Sequence, residues 1–247
     1  MTNWRNLMPF QPGYSGIAPI RPPSLPEGKT DMEIIGFIAN NWPVILRLAG
    51  EHISIVAVAV GLAILTGVPI GIAITQNRRV ADGVLYVASI IVTIPSIALF
   101  GLMIPILSKI GQGIGWLPAV IAILLYSQLP IVRNTYTAIT NVDPALREAA
   151  TGMGMTPFQR LTRLEIPIAI PVIMAGVRTA VVMNIGVAAI AAYIGAGGLG
   201  VLIARGISQT DPRQLVTGAL AVSLLAIVAD WALLQLQKRL TPAGLKR

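Results

Sequence analysis

Residues 143–171 read DPALREAATGMGMTPFQRLTRLEIPIAIP, a charged run from Asp143 to Pro171 in a chain that is otherwise almost wholly apolar. Of the 247 residues, 55% are hydrophobic and only 11% charged, with mean hydropathy +0.76. A typical soluble domain carries about 25% charged residues. The composition is that of an integral membrane protein, and such a protein keeps a polar stretch where the chain leaves the bilayer.

Working outward from that run, the apolar segments can be counted. A hydrocarbon core about 30 Å thick takes about 20 apolar residues of helix. Five stretches qualify: His52–Thr75, Gly83–Leu107, Leu117–Thr137, Pro171–Ile194 and Leu215–Leu236. The expected fold is therefore all-α, with residues 51–238 as the transmembrane domain and residues 140–170 as a polar loop between the third and fourth spans. Pro69, Pro95, Pro105 and Pro130 are expected to kink or unwind their helices.

The flanks read differently. Residues 1–50 begin as an irregular tail rich in proline and glycine, without the continuous apolar core of a signal peptide. From Asp31 to Gly50 an amphipathic helix is expected, with Asp31 as N-cap and Trp42 at headgroup level, lying at the interface and not spanning it. Residues 239–247 form a short basic tail. Positive loops stay in the cytoplasm. Arg78, Arg79, Arg147, Arg160, Arg163, Lys238 and Arg239 fall on one side of a five-span arrangement, which places the N-terminus outside and the C-terminus in the cytoplasm. The net charge of +8 is thus assigned to membrane topology and not to nucleic acid.

Composition also excludes chemistry. Cysteine is absent and histidine occurs once, at His52, so a thiolate or multi-histidine metal site and a Ser/His/Asp triad within one chain are nearly excluded. Two short motifs are decoys. Gly195, Gly197 and Gly200 satisfy the spacing of a dinucleotide-binding turn, but they end a membrane span, and the next acid, Asp211, comes too early for the ribose contact. These glycines are expected to make a tight bend with closely approaching helices. Gly28-Lys29-Thr30 echoes a phosphate loop, but Pro23 stands where its first glycine is required. The chain is expected to hydrolyse no ATP itself.

The opening run has strong local signals. Asp143 can cap a helix that starts with Pro144, Gly152 and Gly154 can end it, and Thr156 can cap a second helix starting with Pro157. Leu146, Ala149, Ala150 and Met153 recur at helical spacing beside Arg147 and Glu148. From the residues alone, this helical pair either packs on its own protein or meets a partner.

The order Glu148-Ala149-Ala150, then three residues, Gly154, nine residues, Leu164, one residue, Ile166 and Pro167 resembles the cytoplasmic motif of the transmembrane subunits of bacterial ABC importers. The family pattern has its two aliphatic positions filled in the reverse manner. Thr93–Leu99, Leu129–Tyr136 and Pro171–Gly200 are similar to segments of the importers for glycine betaine, choline and carnitine. The resemblance covers about His52 to Leu236. It implies the type I importer permease fold and a location in the bacterial cytoplasmic membrane. It also implies a coupling helix at Asp143–Phe158, seated in a groove of a separate ATPase.

The same resemblance implies partners: a pair of ABC ATPase subunits holding ATP and Mg, a second permease copy or paralogue, and an extracytoplasmic solute-binding protein. This chain is expected to bind no cofactor itself. The implied function is import of a quaternary-amine compatible solute by alternating access, with an amino acid such as methionine as the alternative. A passive channel would have no use for the coupling motif.

Residues for the translocation path are less sharply marked. Asn184 near the middle of the fourth span faces either neighbouring helices or the pathway. Tyr126, Tyr193 and Pro95 are further candidates. Arg178 and Asp230 are expected to snorkel or to pair with other groups. Aromatic residues make up 5% of the chain and form no cluster resembling a cation cage, so selectivity is expected to reside mainly in the binding protein.

Overall fold

The computed structural model describes residues 27–242, with side chains from Glu33 onward. The proline-rich start of the tail and the last five residues lie outside the described range. The described chain is helical throughout. In order it runs α1 (Glu27–Ala73), α2 (Arg78–Thr93), α3 (Ser96–Leu107), α4 (Trp116–Thr140), α5 (Pro144–Gly152), α6 (Pro157–Arg160), α7 (Ile166–Ile190), α8 (Gly200–Ser208) and α9 (Pro212–Leu240).

The expected break between an interfacial helix and the first span is not there. α1 is one helix of 47 residues, about 70 Å long at 1.5 Å per residue. Gly50 suggested an end because glycine is a poor helix former, at a cost of about 1 kcal/mol. Tertiary packing overrides it: Leu48, His52, Ile55, Ala59 and Ala63 are all buried on one stripe that runs unbroken past the exposed Gly50. The stripe continues through Gly67 and Gly71, where the backbones come close. A Cβ on Gly71 would lie 2.6 Å from Cβ of Thr135 on α4. Small residues on one helix thus set how tightly α1 and α4 pack.

α4 is the centre of the bundle, with α1 on one side and α7 on the other. Ala119, Ala122, Ile123 and Ile131 of α4 are fully buried, as are Ala180 and Ala188 of α7. Gly176 of α7 leaves room for the opposing helix: its Cβ would fall 2.6 Å from that of Asn134.

The second expected span is broken. α2 and α3 are bent 98° from each other at Ile94 and Pro95. Ile94 is extended at ψ 126°, as a residue before proline prefers, and Pro95 lacks the N–H that would continue the helix. The carbonyl of Ile94, left over by the break, accepts from the Tyr126 hydroxyl of α4. Pro69, Pro105 and Pro130 lie inside continuous helices, so only Pro95 interrupts its span. Among the described residues, four helices are long and apolar enough to cross a membrane alone, and five spans result if the bent pair is counted as one.

The fourth span starts earlier than expected. α6 passes through a single π-helical turn, Leu161–Glu165, directly into α7, giving a 38-residue unit from Pro157 to Ile194. Beyond it, Gly195, Gly197 and Gly198 take φ of +77°, +82° and +79°, the left-handed region that favours glycine. A Cβ on Gly200 would fall 1.9 Å from the carbonyl oxygen of Ala189, so the tight bend with close approach is present. It leads into α8, a short helix that nothing in the sequence announced. α8 and α9 form a hairpin, and α9 starts at Asp211, whose carboxylate accepts from the Arg213 amide at 3.0 Å.

Candidate functional site

The loop between α4 and α7 is built from its own capping residues. Asp143 Oδ1 accepts from the Ala145 amide at 2.9 Å and Pro144 opens α5. Gly154 ends the segment at φ +82°, and the Met155 amide returns to the Ala150 carbonyl at 3.1 Å. Thr156 and Gln159 then close a reciprocal capping box: the Gln159 amide donates to Thr156 Oγ1 at 3.3 Å, and the Thr156 amide to Gln159 Oε1 at 2.9 Å. Pro157 occupies the first turn of α6.

The helix sorts its faces differently from the expected single apolar side. Leu146, Ala149 and Met153 are exposed with Glu148, and Phe158 of α6 joins them. Met153 and Phe158 are 72% and 73% exposed, a high value for side chains of that size. Ala150, one turn beyond Leu146, lies on the edge turned to the protein and is buried. Arg147 turns inward with it. Leu164, Ile166 and Pro167 are half-buried, with Ile166 packed against Ala138, Ile139 and Ala169 at the adjoining ends of α4 and α7. The motif therefore has an anchored end and a presented end.

Glu165 holds the anchored end together. It is buried at the last position of the π turn, and Arg160 Nε donates to its Oε1 at 3.1 Å. Arg147 Nε of α5 lies 3.2 Å from the same oxygen as an ion pair without hydrogen-bond alignment. Arg147 Nη2 donates to the Ile139 carbonyl at the end of α4, and Arg160 Nη1 to Thr151 Oγ1 of α5 at 3.3 Å. Guanidinium groups from α5 and α6 thus meet on one carboxylate of the π turn, and Arg147 links them to the end of α4. A π turn costs regular hydrogen bonding and is common at functional sites; here it carries Glu165. The spacing of the motif gave no hint of this residue, although it stands between the two aliphatic positions.

The candidate path residues do not converge. Asn184 is fully buried and donates to Ser127 Oγ of α4 and to the Ala180 carbonyl, both at 2.8 Å, which is helix-to-helix bonding. Tyr126 and Pro95 meet at the α2–α3 break. Tyr193 lies apart from them and is exposed. Arg178 and Asp230, in contrast, pair with each other. Arg178 Nε and Nη2 donate to Asp230 Oδ1 and Oδ2, both at 2.9 Å, and Nη1 reaches Gln237 Oε1 at 3.2 Å.

Two further contacts were not foreseen, at the glycine bend. His52 Nε2 lies 3.0 Å from the Ile185 carbonyl, and Glu51 Oε2 accepts from the Gly198 amide at 3.1 Å. They tie α1 to α7 and to the turn after it. No cluster of three or more potential metal-ligating His, Cys, Asp or Glu side chains occurs among the described residues.

A family profile described as binding-protein-dependent transport system inner membrane component matches residues 63–242. The chain is 57% identical to the osmoprotectant import permease protein OsmW of Salmonella typhimurium, over 87% of this chain and all of that one. It is 42% identical to the choline transport system permease protein OpuBB of Bacillus subtilis, over 87% and 96% of the two chains. The carnitine transport permease protein OpuCB of Listeria monocytogenes is likewise 42% identical, over 86% and 95%. In fold it is similar to a chain of the inward-facing MetNI methionine ABC transporter, with TM-score 0.74 and 22% identity over 82% of this chain and 99% of that one. With the capped motif anchored at the base of a span, and with a profile matching most of its length, this chain belongs to the inner membrane components of binding-protein-dependent transport systems and is a multi-pass permease subunit.

Proposed function

We propose that this chain is the permease subunit of an ATP-driven importer that carries a quaternary-amine compatible solute, such as glycine betaine, choline or carnitine, across the cytoplasmic membrane. The observation that carries the coupling half of this reading is the presented face of α5 and α6. Leu146, Met153 and Phe158 stand exposed with Glu148 among them, on a helix whose other face is fixed to α4 and α7 through Arg147 and Glu165. An apolar patch with a charged member, carried on a rigid support, is what a partner groove can take hold of. The partners are a pair of ATPase subunits that hold ATP and Mg. A second permease, identical or paralogous, completes the pathway, and a solute-binding protein delivers cargo from outside.

The N-terminus lies outside and the C-terminus in the cytoplasm, on the side of α5. ATP closes the ATPases, the movement passes through α5 to the Glu165 anchor, and the spans exchange outward and inward openings. The substrate half is supported by relatives named for osmoprotectant, choline and carnitine transport. Competition of labelled glycine betaine with choline, carnitine and methionine, in proteoliposomes holding the complete complex, tests it. Amines are expected to compete and methionine not to; uptake confined to methionine would refute it.

A further inference from the structure

Charged side chains within membrane spans are costly and almost always face the bundle interior or a water-filled cavity. Arg178 and Asp230 sit within the apolar lengths of α7 and α9, and their fork-to-fork pairing neutralises both. Yet the pair is not sealed, since the side chains keep 23% and 39% of their exposure. The open edge faces a groove of about 830 Å³ between α7 and α9, whose walls include Thr179, Met183, Ile227 and Trp231. Small-molecule sites fall within about 300–1,000 Å³.

The groove lies on the face of α7 that α1 and α4 do not cover. Gly176, Val177, Ala180 and Asn184 point into the bundle and are buried, whereas Thr179 and Val182, beside the groove, are exposed. Hydrocarbon would leave the edge of an ion pair facing lipid. A water-filled route beside these two helices would not.

The chemistry of the groove suits one kind of cargo. Arg178 offers a planar fork that takes a carboxylate bidentately. A quaternary ammonium has no N–H to donate, so it is held by a carboxylate charge and an aromatic face. Asp230 supplies the first, and the neighbouring Trp231, 62% exposed, supplies the second. A zwitterion bearing both groups is neutral overall, as is the pair that it would part, so exchange of partners changes no net charge in the membrane.

We propose that Arg178, Asp230 and Trp231 form a transient site on the translocation route for a zwitterionic quaternary amine. The carboxylate of the cargo takes the Arg178 fork while its ammonium lies between Asp230 and Trp231. This rests on the quaternary-amine reading above.

The test uses the complete complex in proteoliposomes, with glycine betaine and choline as probes. Choline carries the ammonium but no carboxylate. In Arg178→Gln the ratio of maximal glycine betaine to choline uptake is expected to fall about tenfold, the loss of a bidentate charged contact. Because both rates come from the same preparation, a poorly folded fraction cancels from the ratio. Trp231→Leu is expected to lower uptake of both solutes about fivefold, and Trp231→Phe to recover most of it. An unchanged ratio in Arg178→Gln, or wild-type rates in Trp231→Leu, would overturn the site while leaving the quaternary-amine reading standing. A wild-type complex that carries neither amine would overturn both.

Discussion

Arg147 of α5 reaches the buried carboxylate of Glu165 at the base of a membrane span, with 3.2 Å between Nε and Oε1. This pair, reinforced by Arg160 at 3.1 Å, makes the presented helix and the span one mechanical unit. Replacing Glu165 by Gln leaves both guanidinium groups without their counter-charge. The complex is expected to lose about 1–3 kcal/mol of stability and to hydrolyse more ATP per solute carried. Thermal unfolding and the ratio of solute taken up to phosphate released check it. A variant with wild-type values in both would show that the anchor is idle.

Gly71 of α1 and Gly154 of the loop differ in what an added methyl group does. At Gly71 a new Cβ would press on Thr135 at 2.6 Å, whereas at Gly154 it would meet nothing within 4 Å. Gly71→Ala is expected to push α1 from α4 and to cost about 1–3 kcal/mol by overpacking. Gly154→Ala instead strains a backbone at φ +82°, at about 1–2 kcal/mol, and should alter the loop alone. Cysteine cross-linking between α1 and α4 separates the cases: only the Gly71 variant should change its yield.

Tyr126 closes the gap opened by Pro95. Tyr126→Phe removes the donor to the Ile94 carbonyl and is expected to destabilise the protein by about 1–2 kcal/mol, loosening the bend between α2 and α3. Hydrogen exchange at the Ala98 and Leu99 amides, which donate to the Pro95 carbonyl, should accelerate while that of α7 stays unchanged.

The start of α9 has a defined response to acid. Hydrogen bonding to the Arg213 side chain, ahead of that to Gln214, lowers the Asp211 carboxyl from 3.8 to about 2. A depressed folded value stabilises the charged form, so the contribution is full above about pH 4 and disappears as pH falls through 2. Exchange at the Arg213 amide is therefore expected to follow ordinary base catalysis between pH 5 and 8, with fraying added only below pH 4. Asp211→Asn should abolish that acid step.

These relationships also show which parts of the molecule can be read from its residues. The starts of α5 and α6 were legible because Asp143, Pro144, Thr156 and Pro157 act on their immediate neighbours. The spans were legible because each buries or exposes some twenty apolar residues in succession. Gly50 misled because a helix boundary was inferred locally, while the buried stripe from Leu48 to Ala63 decides it. Pro95 was marked among four prolines, but nothing in its neighbourhood says that it alone breaks a helix; Tyr126, 32 residues from Ile94, helps to hold the break. Arg178 and Asp230 are 52 residues apart, so their pairing, and the groove beside it, appear only once α7 and α9 are side by side.

The coupling of transport to ATP through α5 is tested most directly by replacing Met153 and Phe158 with Asp, which leaves every capping and anchoring contact in place. Uptake of labelled glycine betaine into proteoliposomes supplied internally with ATP is the measurement, made together with the amount of ATPase retained on purification. The wild-type complex is expected to accumulate the solute against its gradient only when ATP is present, and the double variant to lose both ATPase and accumulation. Full accumulation by the variant, or accumulation by the wild type without ATP, would contradict it.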